Sequence, residues 1–246
     1  MTSKESYDST DEGRYEAGPF RSRVSRTVWT PLVCVGHSRT VANFVTVRHR
    51  STDEIMEGLH LVRRSPRGVG TLALAVRRPA VDAREVLSLA ELDPDVGLIG
   101  DSWSRRPSSR TTDRSPHPDM QLNVINSRFI ELIAGPDRDA WALAGDQLYV
   151  DLDLSVDAMP AGSRLAIGDR AVIEVTDQPH TGCAKFAARF GRDAHKIVWS
   201  EEGQRLRLRG LNARVLVGAT IKAGDTVRRF PADIGQPDTE RLSTYE

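Results

Sequence analysis

The chain has 246 residues, 39% of them hydrophobic and 28% charged, with 34 basic and 34 acidic side chains and a formal net charge of zero. That length can bury a substantial core in one large domain or two small ones. The balanced charge offers no general field for nucleic acid or an anionic membrane, and no apolar run approaches the roughly 18 residues of a transmembrane helix, so neither partner is expected. Two cysteines and no secretory-type leader fit a reducing, cytoplasmic setting, and a Cys34–Cys183 disulfide is disfavoured.

Glu5, Asp8, Asp11, Glu12 and Glu16 precede an acid-free stretch that carries Arg21, Arg23, Arg26, Arg39, Arg48 and Arg50. The basic stretch alone would suit a transit peptide or a nucleic-acid arm, but the acids ahead of it do not. Residues 1–50 therefore read as a disordered extension or a translation start set too far upstream. A single β-barrel domain is expected over residues 51–232, with a polar tail at 233–246.

Ser51-Thr52-Asp53-Glu54 is a capping box, and Ile55, Leu59 and Val62 follow at helical spacing until Pro66, which predicts a helix of about three turns. Residues 70–76 form an apolar strand candidate that delivers Arg77 and Arg78 just before Pro79. Two arginines there suit a phosphate or carboxylate, or simply cap the strand in solvent. Residues 81–92 read as a helix. Gly97-Leu98-Ile99-Gly100-Asp101 suggests a short strand close to another backbone, and residues 105–119, rich in Pro, Ser and Arg, form a long loop.

A strand is expected at 121–125, a helix at 127–134, a turn at 140–143 and a strand near 145–154. Asp146, Asp151 and Asp153 on the last lack the glycine and glutamate of a calcium loop and read as a solvated face. Residues 163–167 and 170–176 make a hairpin around Gly168-Asp169. Leu206 and Leu208 are taken as strand residues, which would align Arg205, Arg207 and Arg209 on one face, either solvated or lining an anion pocket. Residues 213–217, Ile221 and Val227 add strands around the Gly224-Asp225 turn. Asn212 is a turn residue or a ligand contact. Many short strands with glycine turns and few helices give a mainly β, barrel-like domain with short peripheral helices.

Pro179-His180-Thr181-Gly182-Cys183 follows the second hairpin strand and precedes a short helix at 184–190. This puts Cys183 at a strand-to-helix corner, where unpaired N–H groups, Lys185 and His180 favour a thiolate. The plainer alternative is a small buried apolar side chain. His180 and Cys183 also have the spacing of two zinc ligands, but no second pair completes a site. A cysteine hydrolase would need His180 or His195 within reach as base, together with an oxyanion hole.

Taken in order, Arg77-Arg78-Pro79, residues 97–101, residues 162–169, residues 179–183 and residues 218–227 resemble a MOSC domain, the C-terminal domain type of molybdenum cofactor sulfurases, which also occurs as a free-standing bacterial protein. The resemblance spans about residues 66–230 and rests on the ordered series. It implies a β-barrel with a cysteine in a positively lined pocket. It further implies that Cys183, aided by His180, ligates molybdenum or holds a persulfide, that Arg77 and Arg78 hold the pterin phosphate, and that Asp101 supports the pocket. Lys185, Arg209 and Asn212 would join the cofactor's surroundings.

Three activities follow from the resemblance: reduction of small N-hydroxylated compounds by bound molybdenum cofactor, sulfur transfer through a Cys183 persulfide, or ligand binding without chemistry. The chain carries no recognisable pyridoxal phosphate domain and no clustered cysteines, so a separate desulfurase or electron-transfer protein is the implied partner. One departure stands out. Ala144-Gly145-Asp146 puts an acid where relatives carry a cation, which would repel a pterin phosphate.

Overall fold

The computed structural model describes residues 38–41 and 45–230. Most of the expected extension, including Cys34, and all of the expected tail lie outside them. In chain order the elements are β1 (Ser38–Thr40), α1 (Thr52–Arg63), β2 (Val69–Arg77), β3 (Glu85–Leu87), β4 (Ala90–Asp93), β5 (Gly97–Leu98), β6 (Leu122–Asn126), α2 (Ser127–Ala134), α3 (Arg138–Ala142) and β7 (Leu148–Asp151). There follow β8 (Arg164–Ile167), β9 (Ala171–Val175), α4 (Ala184–Phe190), α5 (Arg192–Val198), α6 (Glu201–Arg205), β10 (Leu211–Val217), β11 (Thr220–Ile221) and β12 (Thr226–Phe230).

Among the described residues, seven strands close on themselves in the order β2-β12-β8-β9-β10-β6-β7, with β7 pairing back onto β2. The ring is antiparallel except between β6 and β7. Parallel neighbours need a crossover, and α2 and α3 supply it. Strand β3 extends β2 outward and carries β1, so described structure reaches back to Ser38, ahead of the expected boundary at residue 51. A second, small sheet joins β11, β4 and β5.

Alternation sorts the side chains into two layers. Leu122 and Val124 of β6, Leu148 and Val150 of β7, and Ala171, Ile173 and Val175 of β9 fill the barrel. Ile125 and Tyr149 point the other way and pack with Phe129, Ile130 and Ile133 of α2, with α1, and with Phe186 and Phe190 of α4. Strand β2 serves both layers through a register shift between Leu72 and Leu74, which leaves Leu72 and Ala75 inside and Leu74 and Val76 outside. Buried Tyr149 donates its hydroxyl to the Trp141 carbonyl at 2.9 Å, which offsets the cost of enclosing it.

The capping box at Ser51 is formed: the Glu54 amide donates to the Ser51 hydroxyl, and the Glu54 carboxylate accepts from the Ser51 amide. No helix among the described residues is long and apolar enough to cross a membrane.

Two expectations are corrected. Residues 81–92 form β3 and β4, not a helix, because Pro79 ends β2, Asp82 turns the chain at φ 60°, and Leu87 pairs opposite Ala75. Leu87, Ala90 and Leu92 join the core cluster packed with the barrel's inner residues, so packing overrides local helix preference. Leu206 and Leu208 lie beyond α6 in turns and pack beneath the helices; with Arg207 at φ 47°, the arginines at 205, 207 and 209 do not share a strand face.

Gly210 enters β10 at φ 92°, and a β-carbon there would stand 2.2 Å from the Val124 carbonyl oxygen. Gly210→Ala is expected to cost at least about 2 kcal/mol of stability, seen as a lower urea midpoint at unchanged slope; an unchanged midpoint would show that this approach of β6 and β10 is not fixed.

Candidate functional site

The first turns of β3, β6, β7 and β10 and the last of β2 and β9 meet at one end of the barrel. Polar side chains gather there that no apolar core explains: Arg78, Asp101, Asn123, Asp146, Arg209 and Asn212 are each less than a tenth exposed. Strand pairing sets part of the geometry, since Asn123 of β6 lies opposite Asn212 of β10 in register.

Arg78, just past β2, binds Asp101 through Nε at 2.9 Å and Nη2 at 3.0 Å, and its backbone N–H donates to the same carboxylate at 2.8 Å. Its Nη1 donates to Asn123 Oδ1 at 2.9 Å and to the Gly145 carbonyl at 3.0 Å. Asn123 passes the network on to Asn212 Oδ1 at 2.6 Å, and Asn212 donates to the Gln178 carbonyl. Burial pushes the Asp101 carboxyl up, but the hydrogen bonds and charge of Arg78 and the amide of Trp103 outweigh it and hold the group below the usual carboxylate range.

The second centre is Asp146, fully buried, whose two oxygens accept from Arg209 Nη1 at 2.9 and 2.8 Å. Arg209 Nη2 donates to the Ala144 carbonyl, and its guanidinium carbon lies 5.0 Å from the centre of the Phe186 ring. The negative charge expected to repel an anion is therefore matched by an arginine. Burial pushes the Asp146 carboxyl up against the opposing pull of Arg209, Arg78 and Arg84. His180 Nδ1 stands 3.5 Å from Asp146 Oδ1 with its side chain 11% exposed. Burial first, then the charges of Arg209 and Arg78, lower its pKa well below the ordinary value, so the ring is neutral.

Arg84 is the group that sequence reasoning missed. It enters just before β3 and packs over Gly145, where a β-carbon would lie 2.9 Å from its Nη2; the φ of 79° at Gly145 also favours glycine. Arg84 donates to its neighbour's carbonyl, from Ala83, and among the described residues no carboxylate forms an ion pair with it. Its pKa is lowered by burial and by the positive charges of Arg189 and Arg78. Arg106, about half exposed, stands 3.8 Å from Asp101. Three enclosed or partly enclosed guanidiniums, Arg78, Arg84 and Arg209, thus face two carboxylates. Among the described residues, buried Arg84 Nε, Arg209 Nε and His180 Nδ1 have no hydrogen-bond partner. Such a cluster is a ready site for an anion with several acceptor oxygens. Only the helix reading of residues 81–92 concealed Arg84; an arginine immediately before a strand was the available signal.

The remaining expected residues separate. Arg77 turns onto Glu85, 2.7 Å from Nε, and does not act as a unit with Arg78. Lys185 is exposed and binds Asp82 at 2.8 Å, where Arg189 also donates, so α4 is tied to the turn between β2 and β3. Cys183 is exposed and is the N-terminal residue flanking α4, in extended conformation. Phe186, three residues on, is the ring beside Arg209. Among the described residues no group of three His, Cys, Asp or Glu side chains forms a metal site.

Residues 118–228 match the family model described as the MOSC domain. The match takes in Asn123, Asp146, His180, Cys183, Arg209 and Asn212, while Arg78, Arg84 and Asp101 precede it. No curated protein matches the chain. Among solved structures, the YuaD protein from Bacillus subtilis is 16% identical with a TM-score of 0.47, the alignment covering 67% of this chain and 97% of that one. YiiM from Geobacillus stearothermophilus is 18% identical with a TM-score of 0.46, covering 68% and 77%. YiiM from Escherichia coli is 18% identical with a TM-score of 0.42, covering 65% and 70%.

The depressed Asp101 pKa makes a signed prediction. Its interactions stabilise the fold fully above the ordinary carboxylate value of 3.8 and are lost as pH falls through the lower folded value. The loss of urea midpoint between pH 5 and pH 3 should therefore be smaller in Asp101→Asn, which at pH 6 should already be destabilised by about 3–5 kcal/mol because Arg78 is left buried without its counter-charge. Parallel acid limbs in the two proteins would contradict it.

Proposed function

We propose that the barrel-end cluster holds a molybdenum cofactor and that Cys183 provides its protein sulfur ligand, since residues 118–228 match the MOSC domain, a family linked to that cofactor. The observation that carries this reading is the enclosed excess of guanidinium groups, with Arg84, among the described residues, lacking a carboxylate partner and the Nε atoms of Arg84 and Arg209 unbonded. A phosphate supplies the acceptor oxygens those donors lack. Arg78 already commits four of its five N–H donors to Asp101, Asn123 and the Gly145 carbonyl, so its part is to fix the floor of the site, while Arg84 and Arg209 take the anion.

When bound, the cofactor supplies a molybdenum centre for two-electron redox chemistry. The chain's own part would be to offer a soft sulfur ligand from an exposed corner, at Cys183, while the neutral imidazole of His180 lies against Asp146 in the floor of the cluster. Small N-hydroxylated compounds are the substrates this reading favours, with electrons from a separate protein, in the cytoplasm. A second reading has its own support. An exposed thiol is open to another protein, which suits a persulfide loaded by a separate desulfurase.

Molybdenum per polypeptide, measured on protein from a cofactor-competent host, tests the first reading. Wild type should approach about one metal per chain; Cys183→Ala and Arg84→Gln should each lose most of it while keeping their melting temperatures. An empty wild type would sink this reading, and a labile sulfane sulfur abolished by Cys183→Ala would then establish the second.

A further inference from the structure

The arginine cluster borders, through Arg209 and His180, a cavity of about 310 Å³, lined by the loop that leads to Cys183 on one side and by the α5–α6 junction and the approach to β10 on the other. We propose that this cavity binds a small aromatic carboxylate, with the ring against Trp199 and the carboxylate on Arg207 and Arg209.

Size sets the first limit. A cavity of roughly 150 Å³ holds a benzene molecule, so this one has room for one or two fused rings and a charged substituent. Composition sets the second. Val198, Leu211 and the indole of Trp199 give apolar and aromatic walls, and Trp199 is 47% exposed although its N–H is bonded to His195 Nε2 at 3.3 Å. An aromatic ligand would cover that surface.

Charge sets the third. Arg207 is partly enclosed and donates to the Met159 carbonyl, and among the described residues no carboxylate pairs with it; burial alone lowers its pKa. Arg209, more than nine-tenths buried, brings an Nε with no partner, and His180 an unbonded Nδ1. The acid in the lining, Asp177, is solvent-exposed and held by the Gln178 amide. Backbone geometry points the same way: Arg207 sits at φ 47°, a region that disfavours any β-carbon, and a glycine would meet that turn with less strain. A planar carboxylate matches the guanidinium fork, whereas a free inorganic anion would leave the apolar walls wet.

The inference shares Arg209 with the proposed cofactor site but rests also on Arg207 and Trp199, and its test keeps the two apart. Calorimetric titration of the full-length chain would compare 2-naphthoate, its neutral match 2-naphthamide, and inorganic phosphate. Naphthoate should bind the wild type at least about tenfold more tightly than naphthamide, and phosphate, which can meet Arg209 but not the apolar walls, should displace it only at about tenfold excess or more. Arg207→Gly removes the guanidinium while suiting the backbone. It should fold, weaken naphthoate about tenfold or more, leave naphthamide unchanged, and keep the wild-type molybdenum content. Trp199→Ala, at an exposed position, should weaken both ligands, and Cys183→Ser neither. No binding by wild type, equal binding of acid and amide, displacement by phosphate at equal concentration, or full affinity in Arg207→Gly would each overturn the proposal.

Discussion

A guanidinium taken out of water costs several kcal/mol unless a well-placed counter-charge and further acceptors meet it, and the end of this barrel is arranged around meeting that demand for Arg78. Asp101 does so with both oxygens, and the same carboxylate accepts the backbone amides of Arg78 and Trp103. One side chain thus ties the end of β2 to the loop after β5. The remaining Arg78 donors fix Asn123 and the Gly145 carbonyl, and from there the positions of Asn212, Asp146 and Arg209 follow. Because the pair is saturated from within, it serves as a foundation. The binding capacity of the cluster belongs to Arg84 and Arg209, whose donors are incompletely used.

The strands were legible in the sequence wherever one face is buried in the barrel and the pattern alternates, as in β8 and β9, and α1 was legible from its cap. Residues 81–92 were not. Val86, Leu87, Leu89, Ala90 and Leu92 satisfy helical spacing, and nothing local announces that Leu87 will lie opposite Ala75. The cost of that misreading fell on function, since it hid Arg84. Asp146 illustrates the same limit. Beside Gly145 it reads as an unwelcome charge, and only the long-range contact with Arg209 shows it to be neutralised. Arg209, conversely, was placed on a strand face and stands in the site through a turn that Gly210 makes possible.

The site is assembled from two stretches of sequence. Asn123, Asp146, His180, Cys183, Arg209 and Asn212 lie within the matched MOSC segment, but the arginines of the β2–β3 connection and Asp101 lie before it. Helix α4 bridges them, since Lys185 and Arg189 both hold Asp82 in that connection. A boundary drawn at residue 118 would remove Arg78, Arg84 and Asp101 and strand two buried asparagines.

Barrel closure also has a temporal side. Thr71 of β2 pairs with Thr226 of β12, so the first barrel strand finds one of its neighbours only in the last. During synthesis, β2 must wait with an open edge until nearly the whole described chain has left the ribosome. Late-closing, long-range pairing of this kind is slow and leaves β-edges available for wrong partners. For this molecule, then, yield in a cell should depend on how nascent chains are shielded during that interval more than on the stability of the finished barrel.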